Sequence, residues 1–429
     1  MGASAVKPWW RNRQQQAILL IWSCILVLPI GRAVEMPVML MAIAGFYLLV
    51  KHWRNWLENR AFKLFACVFL LAWIPILVSL PDAVRPQSTM MMSINHLRFV
   101  FSGVFILHVL SCPKAHQRFL TLCAWLLMFW IADGLLQAGM GRDLFGFAVP
   151  ASGRVNALFG ENGLVYGILV AVLCPLLWEH AGRRWSRWQM VAAIAATFFV
   201  ILAAGARSAW ISLAVVLVAY VVLLWRRQSI SWTVLAAGAT IASLTIAAFW
   251  IGSERFAARV ESTIGAFTGS AATMEDAIGH RVWIWRGALN MIEANPVNGV
   301  GAGGFRYAFP TYAVEDDPFV NADPPISPYH SHQLWLEILA ESGSIGAVGL
   351  LALLILLLMA GIRAPPRARR MMLPYALCLL AAYFPLNTHM AIYSAFWSQI
   401  VWWLIALYCA AYGAGIGSAG NRQASDCVN

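Results

Sequence analysis

An all-α protein that crosses a membrane many times is the fold class this sequence predicts, and three observations predict it. Hydrophobic residues make up 61% of the 429 residues and charged residues only 11%, whereas a soluble domain has about 45–50% and about 25%. Apolar runs close to the roughly 20 residues that a spanning helix needs recur along the whole chain. The basic residues collect in every second loop between those runs.

Taken in order, the apolar runs place helices near 16–32, 35–50, 64–80, 97–111, 119–139, 162–179, 189–206, 208–225, 232–252, 333–362, 371–386 and 391–413, about twelve in all. The first follows a basic stretch, as a signal peptide would. It has no small-x-small cleavage site, so it reads as a retained anchor. Nine helices thus fill 1–252, a polar insertion occupies 253–332, three helices occupy 333–413, and a tail runs over 414–429. No repeat and no low-complexity tract interrupts this single membrane domain.

Charge orients it. Of the 30 basic residues, 19 lie in one alternate set of loops, from Lys7, Arg11 and Arg13 through Arg183, Arg184 and Arg187 to Arg422. Only Glu58, Glu179 and Asp426 accompany them. Positive-inside bias then puts both termini in the cytoplasm and the long insertion outside. The same bias accounts for the net charge of +11, and no basic, aromatic-interleaved helix calls for nucleic acid. The 21 tryptophans, many near helix ends, fit the lipid–water interface. Six of the eight cysteines lie in apolar helices and none in an outward loop, so no disulfide is expected.

The insertion has internal order. Arg281–Ala294 reads as an amphipathic helix with Val282, Trp285, Leu289 and Ile292 on one face, ended by Asn295-Pro296 and Gly299. Gly299-Val-Gly-Ala-Gly-Gly lacks the Lys-Ser/Thr of a phosphate-binding loop and reads as a tight turn. The acidic, proline-containing stretch 315–325 builds no core by itself and reads as a mobile flap.

Tyr329-His-Ser-His-Gln333 closes the insertion and enters the next membrane helix. An imidazole titrates near neutral pH and suits abstraction of a hydroxyl proton. Metal ligation and helix capping are the other readings of His330 and His332. Two residues apart, their rings should lie on different sides of the chain, and no Cys or HExxH pattern completes a metal site. Arg207 sits between two apolar runs, where an arginine costs about 2.5–3.5 kcal/mol to insert. It therefore demands an anionic partner, either a ligand or a carboxylate such as Asp133 or Glu161. Arg281 opens the outward helix, and a guanidinium fork matches phosphate oxygens. Arg98, Arg154, Arg286 and Arg306 are secondary cations. Glu337 and Glu341, four apart on one helix face, either orient an imidazole, pair with an arginine or hydrogen-bond between helices.

Four ordered segments resemble the bacterial O-antigen ligase/polymerase superfamily, and most closely its O-antigen ligases. They are Phe159-Gly-Glu-Asn162-Gly163; Gly205-Ala-Arg-Ser-Ala-Trp210; Arg281-x-x-x-Trp285 continuing to Pro296-x-x-Gly299-x-Gly301; and His332-Gln333-x-x-Leu-x-x-Leu-x-Glu341-x-Gly343-x-x-Gly346. The resemblance implies transfer of a glycan from undecaprenyl diphosphate to the lipid A–core oligosaccharide at the periplasmic face of the bacterial inner membrane. It implies a GT-C-type, metal-independent, inverting glycosyltransferase without a cofactor. By the same resemblance His332 is the base, and Arg207 and Arg281 hold the departing diphosphate. His330, Gln333, Glu341, Arg154, Asn162, Arg286 and Arg98 are supporting candidates beside them. Two departures stand out. Gln333 replaces the usual Asn after the motif histidine, and Ala206-Arg207-Ser208 replaces a Ser-Arg-Gly order. Polymerases and protein O-oligosaccharyltransferases of the superfamily share these features, and a polyprenyl-linked glycan transporter is the reading from another class. Transporters place ionisable groups at mid-membrane within repeats; here they gather at the outer ends.

Overall fold

Proline starts three of the long helices, at Pro86, Pro113 and Pro366, where its missing N–H costs nothing and its fixed φ suits the first turn. Side chains cap others. Asn59 accepts from the amides of Ala61 and Phe62, Ser186 forms a capping box with Gln189, and Ser394 accepts from Trp397. The computed structural model describes residues 13–160, 164–226, 232–268, 281–387 and 391–417. Asn162, Glu161 and nearly all of the tail lie outside the described residues.

In chain order the helices are α1 (Arg13–Leu26), α2 (Glu35–Lys51), α3 (Trp53–Glu58), α4 (Arg60–Val78), α5 (Pro86–Val109), α6 (Pro113–Met140), α7 (Leu164–Arg184) and α8 (Arg187–Ala204). They continue as α9 (Arg207–Arg226), α10 (Trp232–Gly252), α11 (Glu254–Thr268), α12 (Arg281–Ala294), α13 (Phe305–Tyr312), α14 (Leu334–Arg363), α15 (Pro366–Tyr383) and α16 (Ala395–Ile416). A helix stands at each of the twelve expected positions. Among the described residues, nine are long and apolar enough to cross a membrane, so the protein is an all-helical polytopic membrane protein. Of the remaining three, helix α1 has 14 residues, α15 carries Arg367, Arg369 and Arg370 in its opening turns, and α10 is an apolar helix of 21 residues.

Helices α7 and α16 form the centre, each with 83% of its apolar window buried, against 28% for α9 and α14 at the periphery. Around them α2 packs on α5, α4 on α14, α6 on α7 and α15 on α16. Close approach needs small residues: a Cβ on Gly45 would overlap the Phe101 carbonyl, so α2 and α5 meet backbone to backbone.

Among the described residues, the connections 79–85, 141–160, 205–206, 253–268, 281–333, 384–387 and 391–394 gather at one end of the bundle. Hydrogen bonds tie them together: Val84 N–H to Val300 O at 2.9 Å, Val155 N–H to Ala203 O at 3.1 Å, Arg259 Nη2 to Ser152 O at 2.7 Å, and Gln333 Nε2 to Pro385 O at 3.1 Å. A second small core forms there from Ile284, Ala288, Met291, Phe305, Phe309 and Ala340, with Val300 and Ala308.

That core corrects two expectations. The inward face of α12 is Ile284, Gly287, Ala288 and Met291, while Leu289 is 55% exposed. Helix α12 turns its small residues to α13 because a Cβ at Gly287 would already press on the Phe309 ring. The acidic stretch 315–325 is also not a loose flap. Asp317 is fully buried and accepts from Phe319 N at 2.8 Å, and Phe319 and Val320 pack on the small core. The polar insertion also opens with a helix, α11, ahead of the amphipathic α12.

Candidate active site

The loop between α6 and α7 is held over the bundle end by two buried side chains of α6. Asp133 accepts from Leu144 N at 2.9 Å and Leu158 N at 2.8 Å, and Gln137 Oε1 accepts from Asn156 N and Ala157 N at 2.8 Å each. Asp133 is thereby occupied with backbone amides and is not the counter-ion considered for Arg207. The loop presents Arg154 immediately before Val155, which pairs with the end of α8.

Arg207 starts α9 two residues after Gly205, and Gly205 closes α8 in the left-handed conformation at φ +63°. A Cβ on Gly205 would collide with the Arg259 guanidinium. The glycine thus both ends a helix and makes room for a second cation. Arg207 Nη2 donates to Ser262 Oγ at 3.2 Å, so α11 carries both Arg259 and a hydroxyl to this place. Burial lowers the pKa of Arg259, and the neighbouring charges of Arg154, Arg255 and Arg207 lower it further. Burial, then the charge of Arg207, lowers that of Arg281, and burial lowers that of Arg154. Four guanidinium groups from four chain segments therefore converge at one half-buried place. All remain charged at neutral pH, and an anion would relieve their repulsion.

Arg259 is the residue that sequence reasoning missed. Its signal was present in Arg255 and Arg259, four apart in the stretch after the ninth apolar run.

Helix α12 links these cations to the histidines. Arg281 is its first residue, and Trp285 one turn later donates its indole N–H to Ser331 O at 3.0 Å. Ser331 is fully buried between His330 and His332. His332 has φ +55°, a left-handed conformation that costs a non-glycine residue roughly 1–2 kcal/mol. Local bonds hold it. Gln333 N–H donates to Ser331 Oγ at 3.3 Å, and Gln333 Oε1 caps α14 by accepting from Leu336 N at 2.6 Å. The turn brings the His330 and His332 rings together, with centroids 4.0 Å apart at 49°. The expectation that spacing would separate them fails because it assumed regular backbone.

The remaining candidates separate. Glu341 is buried and accepts from Gly303 N at 2.7 Å and Phe305 N at 3.0 Å. Its role is to seat the glycine loop and the start of α13. Glu337 accepts from Tyr393 N at 3.4 Å. The glycine run is a docked turn, with Val300 N–H on Ala340 O at 2.8 Å. Arg286 stacks on Trp283 at 5.1 Å, and Arg306 lies against Tyr307 and Tyr329 at 4.6 and 5.5 Å. Arg98 lies in a separate cavity beside α5. Among the described residues, no three His, Cys, Asp or Glu side chains group as ligands for a cation.

Residues 191–351 match the O-antigen ligase family model. That match covers less than half of the chain, yet it runs from α8 through Arg207, Arg259, Arg281 and the histidines to the first turns of α14. Enzymes of the O-antigen ligase family transfer glycans, and their substrates are lipid-linked. Arg98 and Arg154 lie before the matched stretch. No curated protein matches the chain.

Proposed function

We propose that this protein is an O-antigen ligase of the bacterial inner membrane. It moves the glycan of an undecaprenyl diphosphate donor to the lipid A–core oligosaccharide on the periplasmic side. The observation that carries this reading is the bond from Trp285 to Ser331. It makes one short helix the bridge between a group of cations and a pair of imidazoles. The O-antigen ligase match over the same residues supports it, as does the basic bias of the loops at the opposite end of the bundle.

In this mechanism the acceptor hydroxyl gives its proton to His332 as its oxygen attacks the anomeric carbon. The bond from that carbon to the diphosphate oxygen breaks, and the electron pair leaves with the diphosphate. Arg207 and Arg281, with Arg154 and Arg259 behind them, stabilise the charge that develops there. Attack from the face opposite the leaving group inverts the anomeric centre. The diphosphate-linked donor carries the energy, so the reaction asks nothing of a nucleotide or a cofactor. His330 shares the turn with His332 and holds its ring in place.

The test is transfer in vitro with purified protein, lipid-linked donor and rough lipopolysaccharide. Glycan attached to the lipid A–core supports the proposal. Elongated glycan that stays on the polyprenyl carrier would instead identify a polymerase, and absence of either product overturns the reading.

A further inference from the structure

A cavity of about 350 Å³ with cationic and polar groups in its wall lies along α5, apart from the four converging arginines. Its wall includes Arg85, Ser88, Asn95, His96 and Arg98, with Tyr307 of α13 and Tyr393 across from them. No acidic residue is among those that line it. Arg98 stands where the polar first half of α5 gives way to the apolar run Phe99–Val109, and its Nε is buried without a hydrogen-bond partner among the described residues. Glu35 attracts Arg98 from the start of α2, but the two form no ion pair among the described residues.

At the mouth, Arg85 lies over the Tyr307 ring at 4.4 Å. Arg306 takes that ring at 4.6 Å and reaches Tyr329, next to His330, at 5.5 Å. A row of alternating guanidinium and phenol groups therefore connects the cavity to the histidine segment. Beside the cavity, α5 exposes Met90, Met91 and Ile94 at 45%, 58% and 53%, an apolar strip fit for an acyl chain.

We infer that this cavity receives the phosphorylated headgroup of a membrane lipid, with Arg98 binding the phosphate at the floor and Arg85 at the mouth. The polar slot takes the head and the methionine strip takes the tail. Two lipids share that chemistry, a phosphorylated acceptor glycolipid and a bilayer phospholipid. The acceptor source rests on the proposed function, and the row of rings leading to His330 favours it.

The experiment measures equilibrium binding to the purified full-length protein in detergent. The probes are rough lipopolysaccharide, the same lipid after enzymatic dephosphorylation, and phosphatidylglycerol. The proteins are wild type, Arg98→Gln, Arg85→Gln and Arg207→Gln, each checked by thermal melting. Arg98→Gln should weaken a phosphorylated lipid about tenfold, as expected for one lost charge-assisted contact. Arg85→Gln, at an exposed position that burial does not constrain, should weaken it in the same direction, and Arg207→Gln should bind like wild type. Loss confined to rough lipopolysaccharide, together with weak binding of its dephosphorylated form to wild type, identifies the acceptor glycolipid. Loss confined to phosphatidylglycerol identifies a phospholipid site. Wild-type affinity of both arginine variants for both phosphorylated lipids overturns the inference. Because the readout is binding, it is independent of whether transfer is detected.

Discussion

At the residue scale, the proposed mechanism divides the chemistry between His332 and Arg281. His332→Ala should lower kcat by roughly 10²–10⁴-fold, the range of one general base, with little change in donor affinity. Single-turnover kinetics check both quantities, and a variant with full kcat would remove His332 from the mechanism. Arg281→Lys keeps the charge but loses the planar fork. It should raise KM for the donor and lower kcat, whereas KM for the acceptor should stay constant. His332 and Arg281 stood out as candidates by residue type and by their order along the chain. The proximity of His330 and His332 was not, since it depends on one left-handed residue that a buried serine and a distant indole hold in place.

At the scale of elements, α12 and the bend in α14 do the positioning. Trp285→Phe removes one hydrogen bond, worth about 1 kcal/mol, and keeps the ring. Melting temperature should barely move, while kcat falls and donor KM holds, because Arg281 stays and only the histidine turn loosens. A Trp285→Phe enzyme with unchanged kcat would show that the bridge is idle. Gly343 interrupts α14 at φ +60°, ψ −160°, a region essentially reserved for glycine. A Cβ there would overlap Val297, whose carbonyl accepts from Ile345 N. Gly343→Ala should therefore cost more than the ~1–3 kcal/mol of backbone strain alone, seen as a lower melting temperature and weak expression. The helices themselves were legible because an apolar run has one stable form in lipid. The small core, the duty of Glu341 and the true inward face of α12 were not. Each depends on contacts between segments far apart in the chain.

At the scale of the whole molecule, orientation decides which end meets the donor. Glu315→Cys and Gln189→Cys, both at exposed positions at opposite ends of the bundle, test it in a background without native cysteines. Intact cells given a membrane-impermeant maleimide should label position 315 and leave 189 unlabelled. The reverse pattern would invert the topology. The arrangement of twelve helices could be read from composition and loop charge, since both act locally. The meeting of Arg154, Arg207, Arg259 and Arg281 could not, because it needs the bundle to close.

That meeting of cations bears on what happens after transfer. In the proposed reaction the spent polyprenyl diphosphate would carry one more ionisable oxygen than the donor it came from. A site built from four guanidinium groups would read charge and not sugar, and would grip the spent carrier at least as firmly as the loaded one. Departure of the carrier lipid into the bilayer would then set the pace of repeated turnover. An enzyme of this design works fastest where a neighbouring phosphatase or recycling step clears the carrier from its door.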